Sequence, residues 1–203
     1  VDPDSVPLPP DERPQHPSLA DVRKRWLLEE PINEEARHRA ARAYYGLCAF
    51  LDDNLLQVLE ALETSGQATS TRVLYTSDHG EGLGEHGVWG KSVLYEGVAG
   101  VPLLLAGEGI SAGLHCDTPV SHVDLFPTIL ELTGTPTAHS DSYLPGQSLV
   151  PLAQGNRNAE RHAFSEYHAA GSRQGGFMLR QGTWKLIFYV EYPPQLFDLS
   201  ADQ

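Results

Sequence analysis

Apolar residues between positions 34 and 64 recur with the period of one helical face. Ala40, Tyr44, Leu47, Leu51, Leu55, Val58 and Leu62 follow one another at steps of 4, 3, 4, 4, 3 and 4. This spacing predicts a long amphipathic helix. Asn33 stands as its N-cap, Glu34 and Glu35 occupy the first turn where the helix dipole favours anions, and Gly66 supplies the stop. Cys48 lies beside the apolar face, which predicts a buried, inert thiol. Two short apolar runs, residues 72–76 and 101–106, read as buried strands. Ser121-His122-Val123-Asp124 then opens another helix as a capping box, continued by Leu125, Ile129, Leu130 and Leu132 and closed by Gly134. Pro127 is tolerated there because it sits in the first turn.

Helix, strand, loop, strand, helix is an α/β pattern, and it predicts a mostly parallel sheet flanked by helices. Beyond Gly155 the pattern changes to short strands at 163–167, 176–180 and 183–189, the last two joined by a hairpin turn at Gln181-Gly182. The expected organisation is an α/β portion over 1–155 and a small antiparallel β subdomain over 156–203. Within the first portion, residues 1–32 read as an extended lead-in, since Pro3, Pro7, Pro9, Pro10, Pro14 and Pro17 fix their own φ and lack amide donors.

Composition narrows the class. With 203 residues, 40 % of them hydrophobic and 20 % charged, the chain can bury a real core. Lys plus Arg is 14 against 27 for Asp plus Glu, a formal charge of −13. That balance argues against a nucleic-acid or anionic-membrane partner, both of which need a basic face. No apolar run approaches the roughly 18–20 residues of a membrane helix. Cys48 and Cys116 make at most one disulfide and fit no cysteine-based zinc pattern. Val1-Asp2-Pro3-Asp4 is neither a start methionine nor a signal peptide, so the chain reads as a mature piece or a fragment.

The segment that carries chemistry runs from Thr76 to Ser92, beginning where a predicted strand ends; ligands of open α/β sheets sit outside the carboxyl ends of strands. Asp78 and His79 are adjacent, so a loop leaving the strand can aim both at one metal ion. His86 and Lys91 lie seven and twelve residues beyond His79, and glycines at 80, 82, 84, 87 and 90 permit tight turns between them. An ammonium beside metal-bound carboxylates is suited to neutralising an oxyanion. Asp-His after a strand also caps ordinary turns. Gly82-Leu83-Gly84-Glu85-His86-Gly87 matches G-x-G-x-x-G, but no periodic helix follows and the neighbouring carboxylates would repel a pyrophosphate.

Taken together, Ser77-Asp78-His79-Gly80, Leu83-Gly84-Glu85-His86-Gly87, Trp89-Gly90-Lys91, Tyr95-Glu96-Gly97 and Val101-Pro102-Leu103 resemble the sulfatase family of the alkaline-phosphatase superfamily. Tyr44-Tyr45-Gly46, Leu51-Asp52-Asp53-Asn54, residues 120–129 and Leu196-Phe197-Asp198-Leu199 extend the resemblance over roughly residues 40–200. It implies an alkaline-phosphatase-like α/β fold, here partial. It also implies hydrolysis of small-molecule or sugar sulfate esters, and a divalent cation, calcium first, with manganese or magnesium as alternatives. By the same resemblance Asp78 and His79 match metal ligands and Lys91 matches the lysine that contacts the sulfate and the leaving oxygen. His86 matches a histidine found in some subgroups and replaced in others, with a catalytic or substrate-binding role. The family's nucleophile is a formylglycine made within a C/S-x-P-x-R motif. Cys48 is followed by Ala49-Phe50-Leu51 and Cys116 by Asp117-Thr118-Pro119, so neither fits. The chain therefore reads as the C-terminal half of a sulfatase-like protein whose N-terminal half supplies the nucleophile and further ligands. A phosphonate or phosphate ester hydrolase of the same superfamily is the alternative enzyme, and a non-catalytic binding domain the alternative of another class. Calcium takes about 6–8 oxygen ligands, so these residues alone should hold metal poorly, and an apolar face should lie open where the other half belongs.

Overall fold

The structure, a computed structural model, describes residues 5–9, 11–26, 30–169 and 172–201. Helix α1 (Pro17–Arg25) is followed by the long α2 (Glu34–Thr64), strand β1 (Val73–Thr76) and the small pair β2 (Gly82–Leu83) and β3 (Trp89–Gly90). A single turn, α3 (Glu96–Ala99), precedes β4 (Leu103–Ala106); α4 (Leu125–Thr133) and the short α5 (Val150–Ala153) lead to β5 (His162–Tyr167), β6 (Gly176–Gln181), β7 (Trp184–Tyr189) and β8 (Tyr192–Asp198).

Capping chemistry sets the helix ends where local residues dictate. Asn33 accepts from the Ala36 amide at 2.8 Å, and Gly66, at φ 72°, closes α2 by donating to Glu63. Ser121 and Asp124 form the reciprocal capping box, and Gly134, at φ 66°, ends α4. The lead-in is not extended throughout, since residues 17–25 are helical. Pro17 at N1 is already shaped for a helix and gives up only an amide that would lack a partner, while Leu19 and Val22 are buried. Residues 1–4, 10 and 27–29, part of the expected extended stretch, lie outside the described residues.

The sheets depart from the expected arrangement. β1 pairs with β4 antiparallel, Val73 opposite Ala106 and Thr76 opposite Leu103, and every pairing among the described residues is antiparallel. A parallel pair needs a crossover that carries the chain back to the starting end. Here the loop and α3 instead turn across the carboxyl end of β1, so β4 runs back along it. The mostly parallel sheet is thus not formed within these residues. The C-terminal strands form one four-stranded antiparallel sheet in the order β5-β6-β7-β8.

The principal core joins Leu19 of α1, Val88 of the chemistry-bearing segment, Leu94 and Tyr95 just beyond it, and Met178 and Ile187 of the C-terminal sheet. Helix α2 contributes little to it. Leu47, Phe50 and Val58 are 65 %, 67 % and 64 % exposed, and Cys48 is exposed, not buried. Period predicts which residues share a face but not what covers it: Tyr44, Leu55 and Leu62 of the predicted face are half-buried, while Leu47, Leu51 and Val58 are exposed. No described helix is long and apolar enough to cross a membrane.

A buried ion pair ties the α/β portion to the C-terminal sheet. Asp124, at the start of α4, meets Arg161 at 2.7 Å and also accepts from the amides of Ser121 and Gln147. Arg161 in turn reaches the side chain and carbonyl of Gln147. Asp124→Ala would strand a buried guanidinium and two amides, and should destabilise the chain by about 3–5 kcal/mol. Urea unfolding measures this; a shift below about 1 kcal/mol, the scale of a surface pair, would show that the pair does not hold the two parts together.

Candidate active site

The loop leaving β1 is organised by its own short hydrogen bonds. Ser77 Oγ donates to the His79 carbonyl at 2.8 Å, and the His79 amide donates to Asp78 Oδ1 at 2.9 Å. That amide bond is the main cause holding the Asp78 carboxyl below its ordinary pKa, with the nearby Lys91 ammonium adding to it. The carboxylate is 83 % exposed and open on the loop's outer side.

The His79 ring is fixed from both ends. Nδ1 lies 2.8 Å from the Gly80 carbonyl, which can only accept, so Nδ1 carries the proton and Nε2 presents its lone pair. Lys91 Nζ sits 2.8 Å from that Nε2, and Asp78 Oδ2 lies 3.4 Å from it. Carboxylate, imidazole and ammonium therefore converge at the carboxyl end of β1.

The glycines in this region have different jobs. Gly80 packs against the backbone of α3: its amide donates to Val98 O at 2.7 Å, and a Cβ there would fall 2.1 Å from the Gly97 oxygen. Gly84 and Gly87, at φ 114° and 71°, turn the chain between β2 and β3. The G-x-G-x-x-G stretch is thus a tight hairpin and opens no helix.

His86 is held by partners of its own. It adopts φ 53° at the hairpin tip; its amide donates to Glu12 Oε2 at 2.6 Å, and its ring lies against Tyr95 at a centroid distance of 4.5 Å. Arg23 reaches the same tip, donating to the Gly87 carbonyl at 2.5 Å. One histidine near the site was missed by spacing arguments. His122 Nε2 lies 3.3 Å from Thr76 Oγ1, the last residue of β1, although its sequence signal was only that of a helix cap.

The chain belongs to the sulfatase family. The Sulfatase profile matches residues 9–135, and that of the N-sulphoglucosamine sulphohydrolase C-terminal region matches residues 84–203. Arylsulfatase K of Danio rerio is 42 % identical over 180 residues, covering 85 % of this chain and 34 % of that protein. Choline-sulfatase of Rhizobium meliloti is 38 % identical over 171 residues, covering 84 % and 33 %. The chain thus spans about a third of the length of these relatives. Among solved structures, the phosphonate monoester hydrolase SpPMH from Silicibacter pomeroyi superposes with a TM-score of 0.81 at 25 % identity, over 100 % of this chain and 46 % of that one. BT4656, solved in complex with its substrate D-glucosamine-2-N,6-O-disulfate, gives 0.71 at 28 % identity over 83 % and 36 %.

Sulfatases generally use a divalent metal. The Asp78 carboxylate, a hard oxygen, fits one ligand of such an ion, and the neutral His79 imidazole fits a second once its Nε2 lone pair is released by Lys91. Among the described residues no group of three or more His, Cys, Asp or Glu gathers that could hold a metal ion. These two alone do not make up a metal shell.

The Gly80 contact gives a direct test. Gly80→Ala forces two backbones apart, and overpacking of this kind costs about 1–3 kcal/mol. Thermal unfolding should show a lowered Tm; an unchanged Tm would mean that the loop does not rest on α3.

Proposed function

We propose that this chain is the C-terminal part of a sulfuric ester hydrolase, in which Asp78 and His79 are metal ligands and Lys91 binds the sulfate group. The observation that carries this reading is the convergence of Asp78 Oδ2 and Lys91 Nζ on His79 Nε2 at the end of β1. The substrate class is a small-molecule or sugar sulfate ester; the choline-sulfatase and the disulfated-glucosamine complex among its relatives support that class. The metal, calcium by first preference, supplies Lewis acidity to a sulfate oxygen when bound.

The chain's own residues do the rest of what is assigned to it. Gly80 O holds the Nδ1 proton of His79, which keeps the Nε2 lone pair directed into the site. Lys91, released from that lone pair on metal binding, neutralises charge that grows on the ester's oxygens and supplies a proton to the departing alkoxide as the S–O bond breaks. The nucleophile that attacks sulfur comes from outside these 203 residues, since no C/S-x-P-x-R motif occurs in them. His86 is assigned a substrate-positioning role, its ring being held on Tyr95. In the whole protein β1 and β4 belong to a larger, mostly parallel sheet.

A second reading, hydrolysis of a phosphonate or phosphate ester, is favoured by the TM-score of 0.81 against the phosphonate monoester hydrolase. Turnover of para-nitrophenyl sulfate against a phenylphosphonate monoester by the full-length enzyme separates the two: a clear preference for the phosphonate overturns the sulfatase reading. Absence of turnover on both supports a binding domain.

Lys91→Ala in the full-length enzyme should lower kcat/KM for the aryl sulfate by more than tenfold, on the order of 10²-fold. His86→Ala should cost less. Unchanged kinetics in the lysine variant would remove Lys91 from the mechanism. The isolated 203-residue chain, supplied with calcium or manganese, should not hydrolyse the same ester, because binding without a nucleophile does not cleave it. Metal-dependent turnover lost on Asp78→Ala would reveal a nucleophile within these residues.

A further inference from the structure

Lys185 is the least expected residue of the C-terminal sheet. Its side chain is 1 % exposed on β7, and its ammonium lies 2.6 Å from Glu96 Oε1. Arg180, directly opposite it on β6, reaches the other oxygen, Oε2, at 3.3 Å. Burial pulls the Lys185 pKa down, and the Glu96 carboxylate opposes that shift. A buried ion pair is weak grounds for stability, because desolvation offsets much of the Coulombic gain. Its best-attested use is to fix one arrangement among several.

What this pair fixes is α3. A four-residue helix cannot hold itself together in water. Its position depends on its neighbours, and its first residue is Glu96. The same short turn provides Gly97 O and Val98 O, against which the loop of Asp78 and His79 is seated through Gly80. The segment from Lys91 to α3 is tied to the same sheet twice more. Tyr167 Oη on β5 donates to Ser92 Oγ at 3.2 Å, and Tyr95 Oη donates to Gln195 on β8 at 2.7 Å. Both arms of the candidate site, the His79 loop and Lys91, are thus referenced to one platform.

We propose that Glu96 is a positioning residue of this site: clasped by Lys185 and Arg180, it sets α3 at the height that brings His79 and Lys91 together. This rests on the reading of Asp78, His79 and Lys91 given above. Glu96 touches no reacting atom and acts through the Gly80–Gly97 contact.

The test uses the full-length enzyme and para-nitrophenyl sulfate. Glu96→Gln should lower kcat about tenfold or more with KM changed less than about threefold, since misplacement of about 1 Å can cost 10²-fold in rate. In that background Lys91→Ala should cost less than it does in the native enzyme, because the lysine is already displaced. If the single variant does not fold, Glu96→Gln combined with Lys185→Met removes the buried ammonium together with its carboxylate partner and should show the same loss of kcat. Native kcat in a folded variant of either kind overturns the proposal, as does a loss that only follows the folded fraction. Additive costs for Glu96 and Lys91 overturn it as well. If Lys91→Ala itself leaves the kinetics unchanged, the reading of the site fails and this inference falls with it; a large Lys91 effect with none from Glu96 overturns the inference alone.

Discussion

Two backbones touch where Gly80 meets Gly97, and the placement of every charged group at the end of β1 depends on that approach. The Gly80 amide donates to Val98 O at 2.7 Å, so the loop is held by main chain against main chain with no side chain to absorb error. The His79 tautomer follows from it, because the Gly80 carbonyl that receives Nδ1–H belongs to the same fixed peptide. The lone pair that faces Lys91 is therefore a consequence of where a glycine can go.

Burial is distributed unevenly, and the distribution tracks chemistry. The core cluster lies under the segment that carries Lys91 and Tyr95, between α1 and the C-terminal sheet. The face of α2 is left open, with Leu47, Phe50 and Val58 in solvent. Fully burying one such side chain contributes about 1.5–3 kcal/mol. The described chain thus forgoes part of the stabilisation its own sequence encodes, on α2 and also on the outer face of the C-terminal sheet, where Phe164, Trp184, Phe188 and Leu196 are exposed.

Local chemistry was legible in the sequence and path was not. The Asn33 cap, the Gly66 stop and the Ser121–Asp124 box were readable because each involves residues within one turn. The hairpin near Gln181 was readable too, although register sets Gln181 opposite Trp184 and places the turn at Gly182-Thr183. Strand β8 carried no strand signal, since Pro193 and Pro194 interrupt it; at the sheet's edge a missing donor faces no partner. The direction of β4 depends on how a long loop returns, which no window of residues encodes. Asp78, His79 and Lys91 were found together by spacing, and they lie together. Spacing put His86 with them as well; a positive φ sets it at the hairpin tip, with its ring on Tyr95. Glu96 could not be singled out, because its partners stand 84 and 89 residues away.

Helix α1 has its partners at the far end of the chain. His16 bonds to the Pro193 carbonyl across 177 residues, and Tyr192 donates to Asp21 across 171. During synthesis at about 5–20 residues per second, α1 leaves the ribosome roughly ten seconds or more before its docking surface has been made. For that interval Leu19 and Val22 have no sheet to cover them. Assembly of the region around His86, whose hairpin tip is gripped by Glu12 and Arg23, is postponed with it. The order of events at the ribosome is thus the reverse of the order along the chain: the last hairpin translated is the one that lets the first helix settle.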